Sequence, residues 1–399
     1  MGAKVAALRP IINRAQEIQV MKKTLLLLSV ILAGTVIADD KKPAAPAKKP
    51  RIEVCFVLDT TGSMSGLIAG AKQKIWAVAN MMISGKPKPD IHIGLIGYRD
   101  RGDAYVTKTF PLSNDIDDIY TKLMAFQAQG GGDTPESVNQ ALHEAVHKMK
   151  WSKSKDVLKV IFLVGDAPPH MDYPQDIKYA VTCEQAAKAN IIINTIQCGK
   201  MAATTPVWKE IAAKAEGKFN QILQDGGVLA MTTPFDKEIA ECNVALGHTV
   251  CFYGDARAQR FAASKLRTAT TASGEAAADR LEFLSKAKKD SEASAEVITG
   301  GGDLTALLAN KKITLKDIDE KKLPENVRKM KPKEREAYFA KQLKEREKAQ
   351  AQLADLLKKR NAFIAKETAR LKKEGKLKGF DAQVQNLIRE QAAPKGIAY

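Results

Sequence analysis

A short apolar run ends on a carboxylate in the segment FVLDTTGSMSG, residues 56–66. Asp59 is followed by hydroxyl side chains two and four residues later, at Thr61 and Ser63. A carboxylate and two neutral hydroxyls at this spacing are oxygen ligands of the kind that hard divalent cations prefer. The alternative is structural, because Ser is also a favoured residue at the N-terminus of a helix.

Two further loops carry oxygen ligands. FQAQGGGDTPES is a glycine-rich loop that bears Asp133 and Thr134, either of which could be its ligand, and Asp133 could instead cap a helix. LVGDAPPH places Asp166 directly after a buried strand. A set of ligands that are all oxygen atoms predicts Mg²⁺, Mn²⁺ or Ca²⁺. About six oxygens would surround the ion. Hydroxyl ligands leave such an ion electrophilic, so it can accept a carboxylate from a protein partner. The predicted metal ligands are Asp59, Thr61, Ser63, Thr134 and Asp166.

Strands and helices alternate along the part of the chain that holds these loops. Continuous Val/Ile/Leu strands between helices predict an α/β fold, a doubly wound and mostly parallel sheet flanked by helices. Ligands bind such sheets beyond the carboxyl ends of the strands, so the three loops should meet at one edge. The predicted strands are 53–59, 90–98, 105–112, 157–166, 191–198 and 218–223, and the predicted helices are 67–83, 116–126, 136–149, 178–189, 207–215 and 229–245.

The segments DTTGSM, GGGDTPE and GDAPPH together resemble the von Willebrand factor A-type domain and its metal-ion-dependent adhesion site. The family pattern is Asp-x-Ser-x-Ser, a Thr in a glycine-rich loop, and an Asp after a later strand. Thr61 departs from it, because Ser is usual there. The resemblance covers about residues 51–254. It implies a ligand-binding or adhesion module, generally not an enzyme, whose Mg²⁺ receives an acidic residue of a protein partner.

A rival motif lies in LHEAVHKM, where His143, Glu144 and His147 match the H-E-x-x-H pattern of zinc hydrolases. On a helix both His side chains would share a face, and the Glu would act as general base. The nine residues from Thr134 to His143 span about 13 Å of helix, so this pair cannot share the oxygen-lined ion. His170 is the only nearby downstream His that could complete a zinc site. A zinc-dependent hydrolase is the alternative function.

The stretch MKKTLLLLSVILAGTVIADD has the features of a secretory signal peptide that is cleaved near Ala38. Positively charged residues follow Met21 and precede a short apolar run. Either Met1 or Met21 could be the initiating methionine. We therefore expect an exported protein, either secreted or in the periplasm or cell envelope. No later apolar run is long enough to span a bilayer.

Export would favour disulfide bonds. Cys183 should lie near the start of a helix and Cys198 at the end of the next strand, which predicts a bridge between them. Cys242 and Cys251 flank a short loop and form the second predicted bridge. Cys55 should be a buried thiol.

The predicted organisation is an N-terminal extension with the signal peptide (1–38), a linker (39–50), the α/β domain (51–254), an Ala/Gly-rich connecting segment (255–304) and a basic amphipathic helical region (305–399).

The net charge is +17, and residues 256–399 hold 33 basic and 20 acidic residues. Polar residues at Arg346, Gln350 and Arg360 weaken a coiled-coil prediction. This C-terminal extension could be a solvated helix, could dock or self-associate, could attach to an anionic envelope surface, or could bind a protein helix. A structural envelope protein anchored by it is a further alternative. No nucleic-acid module is recognisable.

Overall fold

The computed structural model describes residues 49–229, 231–287, 302–376 and 378–399. The predicted signal peptide and most of the predicted linker lie outside these residues. Lys49–Tyr399 form one compact unit.

A six-stranded sheet forms the centre of this unit, with the strand order β3-β2-β1-β4-β5-β6. All neighbouring strands are parallel except β2 and β3, so the antiparallel β3 forms one edge. This mostly parallel sheet confirms the predicted fold class. The strands are β1 (Arg51–Asp59), β2 (Asp90–Tyr98), β3 (Thr107–Ser113), β4 (Leu158–Gly165), β5 (Ile192–Cys198) and β6 (Phe219–Ile222).

Helices cover both faces of the sheet, which explains why its central strands are apolar throughout. One face packs against α3, α4 and α5, and the other packs against helices that include α1, α2 and α12. The helices are α1 (Ser65–Ile83), α2 (Ile116–Met124), α3 (Val138–His147), α4 (Tyr179–Lys188), α5 (Thr204–Lys214), α6 (Asp236–His248), α7 (Ala256–Thr270), α8 (Gly274–Ala287), α9 (Leu304–Ala309), α10 (Glu325–Arg328), α11 (Pro332–Lys373) and α12 (Phe380–Ala392).

Helix α6 begins seven residues later than the predicted start at 229. Pro234 lies just before it, and the Asp236 carboxylate accepts hydrogen bonds from the backbone N–H and the hydroxyl of Thr233, both at 2.7 Å. These bonds hold a turn at the start of the helix. Apolar spacing alone does not reveal such a turn.

The C-terminal region is helical and packs against the sheet unit. The ring of Phe380 in α12 lies 6.1 Å from that of Phe56 in β1, measured between centroids. The last residues also pair with the loop after α1, through an antiparallel bridge between Lys86 and Ala398. Within the described ranges, no helix is both long and apolar enough to cross a bilayer.

The long helix α11 buries two arginines that the sequence places on its apolar seam. Arg346 lies 2.7 Å from a carboxylate oxygen of Asp303, and Arg360 lies 3.0 Å from one of Asp236. Each guanidinium thus meets an acidic partner from another segment of the same chain. Of the alternatives for this region, the structure shows a helix that docks onto its own chain.

The predicted disulfide bonds are wrong, because all five cysteines are buried free thiols. Cys183 lies in the core on one face of the sheet, whereas Cys198 lies in the core on the other. Successive side chains of a strand point to opposite faces, so a position near the strand end does not suffice for a bridge. Cys242 and Cys251 likewise lie in different apolar clusters.

Candidate metal site

The loop after β1 brings three of the predicted ligands together. Asp59 is the last residue of β1 and is fully buried. Its Oδ1 accepts hydrogen bonds from the backbone N–H of Thr61 at 2.8 Å and from the Thr61 hydroxyl at 2.6 Å. The Thr61 hydroxyl lies 3.3 Å from that of Ser63. The turn therefore fixes a carboxylate and two hydroxyls side by side.

Asp166 follows β4, the neighbour of β1, and is also buried. Its Oδ2 accepts a hydrogen bond of 2.7 Å from the side-chain amide of Gln224, which also donates to the carbonyl of Ser63 at 3.4 Å. Gln224 thus links the two loops. Gln224 was not predicted from the sequence, although its position two residues after β6 places it at the same sheet edge.

The glycine-rich loop packs onto the loop after β1, since Gly62 N–H donates to the Gly130 carbonyl at 3.1 Å. A Cβ atom on Gly131 would lie 3.1 Å from Cβ of Thr61, which is closer than ordinary side-chain contact. Thr134 itself is exposed at the rim. The structure thus brings this loop to the site but shows no contact between Thr134 and the other predicted ligands.

Two buried polar residues that the sequence analysis missed also face this region. The pKa of Glu136 is raised to about 9, chiefly by burial and also by the nearby carboxylates of Asp59 and Asp100. The Tyr98 hydroxyl is fully buried, and burial raises its pKa as well. The signal for Glu136 was its place in GGGDTPES, in the same loop as Asp133 and Thr134.

Three buried oxygen atoms here make no hydrogen bond within the described part of the chain: Asp59 Oδ2, Glu136 Oε2 and Tyr98 Oη. A Cβ atom on Gly165 would lie 2.4 Å from Tyr98 Oη and 3.2 Å from Asp59 Oδ2, so only glycine fits beside them. Unpaired buried polar atoms are costly. Burial also raises the pKa of Asp59 to about 7, to which Asp166 contributes as a smaller cause. A bound divalent cation would compensate both effects, so these residues fit an oxygen-liganded ion such as Mg²⁺.

The rival zinc motif has a different geometry. His143 and His147 lie together on α3, with ring centroids 4.4 Å apart. Glu144 is buried, and its carboxylate accepts hydrogen bonds from the hydroxyls of Thr107 at 3.1 Å and Thr109 at 2.7 Å. Glu144 therefore anchors α3 to β3, whereas a general base would have to reach a metal-bound water.

The comparisons with known proteins agree with this fold. Residues 53–233 match the family model described as von Willebrand factor A domain, and this part of the chain is such a domain. A protein of Acanthamoeba polyphaga mimivirus, described as an ariadne-like RING finger protein, is 27% identical over 119 residues, which are 30% of this chain and 11% of that protein.

The von Willebrand factor A domain-containing protein 7 of Homo sapiens is 29% identical over 144 residues, which are 36% of this chain and 15% of that protein. The chain thus covers only 11% and 15% of the lengths of these two relatives. Among solved structures, the crystal structure of the SpRpn10 VWA domain is 14% identical with a TM-score of 0.34, and the match covers 44% of this chain and 89% of that one.

Proposed function

We propose that this protein is a metal-dependent protein-binding module in which Mg²⁺, or Mn²⁺ or Ca²⁺, receives a carboxylate from its partner. The observation that carries the proposal is Asp59 Oδ2, which is buried beside two hydroxyls and makes no hydrogen bond with any residue that the structure describes. Thr134, exposed at the rim, would complete the set. The proposed ligands are Asp59, Thr61, Ser63, Thr134 and Asp166.

The domain type supports this function, since von Willebrand factor A domains are interaction modules and generally not catalysts. Location outside the cytoplasm is part of the proposal, and it rests on the signal-like sequence that ends near Ala38. The anchored position of Glu144 disfavours the zinc-hydrolase alternative.

Calorimetric titration of Mg²⁺ and Mn²⁺ into the purified chain tests the site. Ser63→Ala removes a proposed ligand, whereas Ser65→Ala is the matched control, because Ser65 is an exposed hydroxyl at the first residue of α1 and lies outside the motif. We expect saturable binding that weakens at least about tenfold in Ser63→Ala and stays unchanged in Ser65→Ala. Equal binding by both variants would contradict the assignment.

The partner's role needs a second experiment, because a partner carboxylate could complete the coordination shell only in the complex. Capture of a partner in Mg²⁺ that is reversed by EDTA and lost in Ser63→Ala would support the function. Capture that persists in EDTA would show that binding does not need the ion.

A further inference from the structure

A second group of ligand-type side chains lies at the same edge of the sheet and is separate from the proposed magnesium ligands. It consists of Asp100 in the loop after β2, Asp133 in the glycine-rich loop and His170 in the loop after β4, and we call it the rim cluster. One ligand atom from each residue lies within 4.8 Å of the others. Three separate loops therefore converge on one point.

His170 supplies an independent indication that this point holds a ligand. Its side chain is 7% exposed, and its Nε2 makes no hydrogen bond within the described residues although it lies 3.3 Å from Asp100 Oδ2. Its Nδ1 lies 2.7 Å from a carboxylate oxygen of Asp172. A carboxylate can only accept, so Nδ1 is the donor to Asp172, and Nε2 is the ring nitrogen that faces the rim cluster. Metal-binding histidines are commonly held by a carboxylate in this way.

Asp100 is fixed in position as well. It is buried, and its two oxygens accept hydrogen bonds from the hydroxyls of Ser137 and Tyr173, each at 2.7 Å. Each carboxylate oxygen keeps a second lone pair for a metal. Asp133 is exposed, and the preceding Gly130 and Gly131 have positive φ angles. Asp100 and His170 are thus held in position by their surroundings. Asp133 is the ligand that would move the short distance needed to form metal–ligand bonds of about 2.0–2.1 Å.

We propose that Asp100, Asp133 and His170 form a second metal site, which binds Zn²⁺. One imidazole nitrogen and two carboxylates suit Zn²⁺, whereas Mg²⁺ prefers oxygen ligands alone. Three protein ligands leave a coordination position for water or a partner group. Because Asp133 precedes Thr134, zinc here would also hold the glycine-rich loop against the loop after β2.

The test is a titration of Co²⁺, whose visible absorption reports nitrogen and oxygen ligands, followed by displacement with Zn²⁺, using the full chain in excess Mg²⁺. His143 and His147 are adjacent on α3 and could bind zinc independently. All measurements are therefore made in the His143→Ala/His147→Ala background. We expect one saturable site that weakens at least about tenfold in both His170→Gln and Asp133→Asn.

The variant Ser63→Ala distinguishes this proposal from the magnesium site, since it should weaken Mg²⁺ binding and leave Zn²⁺ binding unchanged. Asp156→Asn, at an exposed aspartate outside the rim cluster, is the matched control for charge. Zinc binding that survives His170→Gln and Asp133→Asn would overturn the proposal. Absence of Co²⁺ and Zn²⁺ binding by a folded protein, with an unchanged circular dichroism spectrum, would also overturn the proposal.

Discussion

At the scale of single residues, the site is defined by carboxyl groups whose burial conflicts with their charge. Asp59 and Glu136 each keep a buried oxygen that has no hydrogen bond within the described parts of the chain, and burial raises the pKa of both. A divalent cation that binds between such groups would replace unfavourable burial of charge by direct coordination. Metal binding by these residues would therefore stabilise the fold.

The free energy of unfolding of the metal-free protein should depend on pH through Asp59. Its pKa is 3.8 in an ordinary environment and about 7 in the folded protein. Between these values the folded state holds the proton more tightly, so the contribution of Asp59 to stability is greatest below about pH 4 and falls as pH rises towards 7. The change is a few kcal/mol, at about 1.4 kcal/mol per pKa unit.

Urea unfolding in EDTA from pH 4 to pH 8 measures this dependence. Other buried carboxyls, such as Glu136, add a trend of the same sign, so the comparison is with Asp59→Asn, which should show a smaller loss over the same range. Saturating Mg²⁺ at pH 8 should restore stability to the wild-type protein. Identical pH profiles for the two proteins would contradict the role of Asp59.

At the scale of elements, α11 shows how a basic amphipathic helix can dock although arginines interrupt its apolar seam. Arg360 is almost fully buried, and its guanidinium lies 3.0 Å from Asp236 of α6 and 2.8 Å from Asp279 of α8. A buried arginine with two carboxylate partners fixes the position of one helix relative to two others. Breaking such a buried pair is costly because it leaves uncompensated charge behind.

Arg360→Ala should therefore destabilise the fold by about 3–5 kcal/mol. The neighbouring Lys359 offers a matched control, because it pairs with Asp355 where both side chains are more than half exposed. Lys359→Ala should leave the urea midpoint unchanged within error, since exposed pairs contribute little. Equal effects of the two substitutions would show that the buried pairs do not hold α11 in place.

At the scale of the whole molecule, the C-terminal region completes the layered structure. Helix α12 packs against one face of the sheet, and the residues after it reach the last turn of α1, where the Tyr399 hydroxyl donates to the Met82 carbonyl at 3.0 Å. The Asn194 amide of β5 exchanges hydrogen bonds of 2.9–3.0 Å with Gln391. The end of the chain is thus bound to the sheet and to α1.

Phe380→Ala should test this dependence. Phe380 is 3% exposed and packs on β1, so its truncation should cost about 3–5 kcal/mol. Phe363→Ala in α11 is the matched control, because its side chain is 38% exposed and its loss should cost less than about 1 kcal/mol. Denaturant unfolding of both variants gives the comparison. A small loss for Phe380→Ala would indicate that the sheet is stable without α12.

The alternation of strands and helices could be predicted from the sequence alone. Strands that are buried on both faces are continuous apolar runs, whereas the apolar residues of the helices between them recur with helical spacing. It also placed Asp59, Thr61 and Ser63 in one turn, since short-range spacing fixes their distance. Asp166 could be expected near them because the carboxyl ends of parallel strands share an edge. Metal binding by these residues remains a prediction.

Only the tertiary structure decided what depends on residues far apart in the chain. It showed that Gln224 joins Asp166, that Asp133 lies with Asp100 and His170, and that Cys183 and Cys198 face different cores. It also placed Arg360 among carboxylates of two other helices, where the sequence indicated a polar break in an apolar seam. The physical reason is that the burial of a side chain and its hydrogen-bond or ion-pair partners depend on residues that are distant in the sequence and close in the fold. The spacing of residues along the chain does not specify these neighbours.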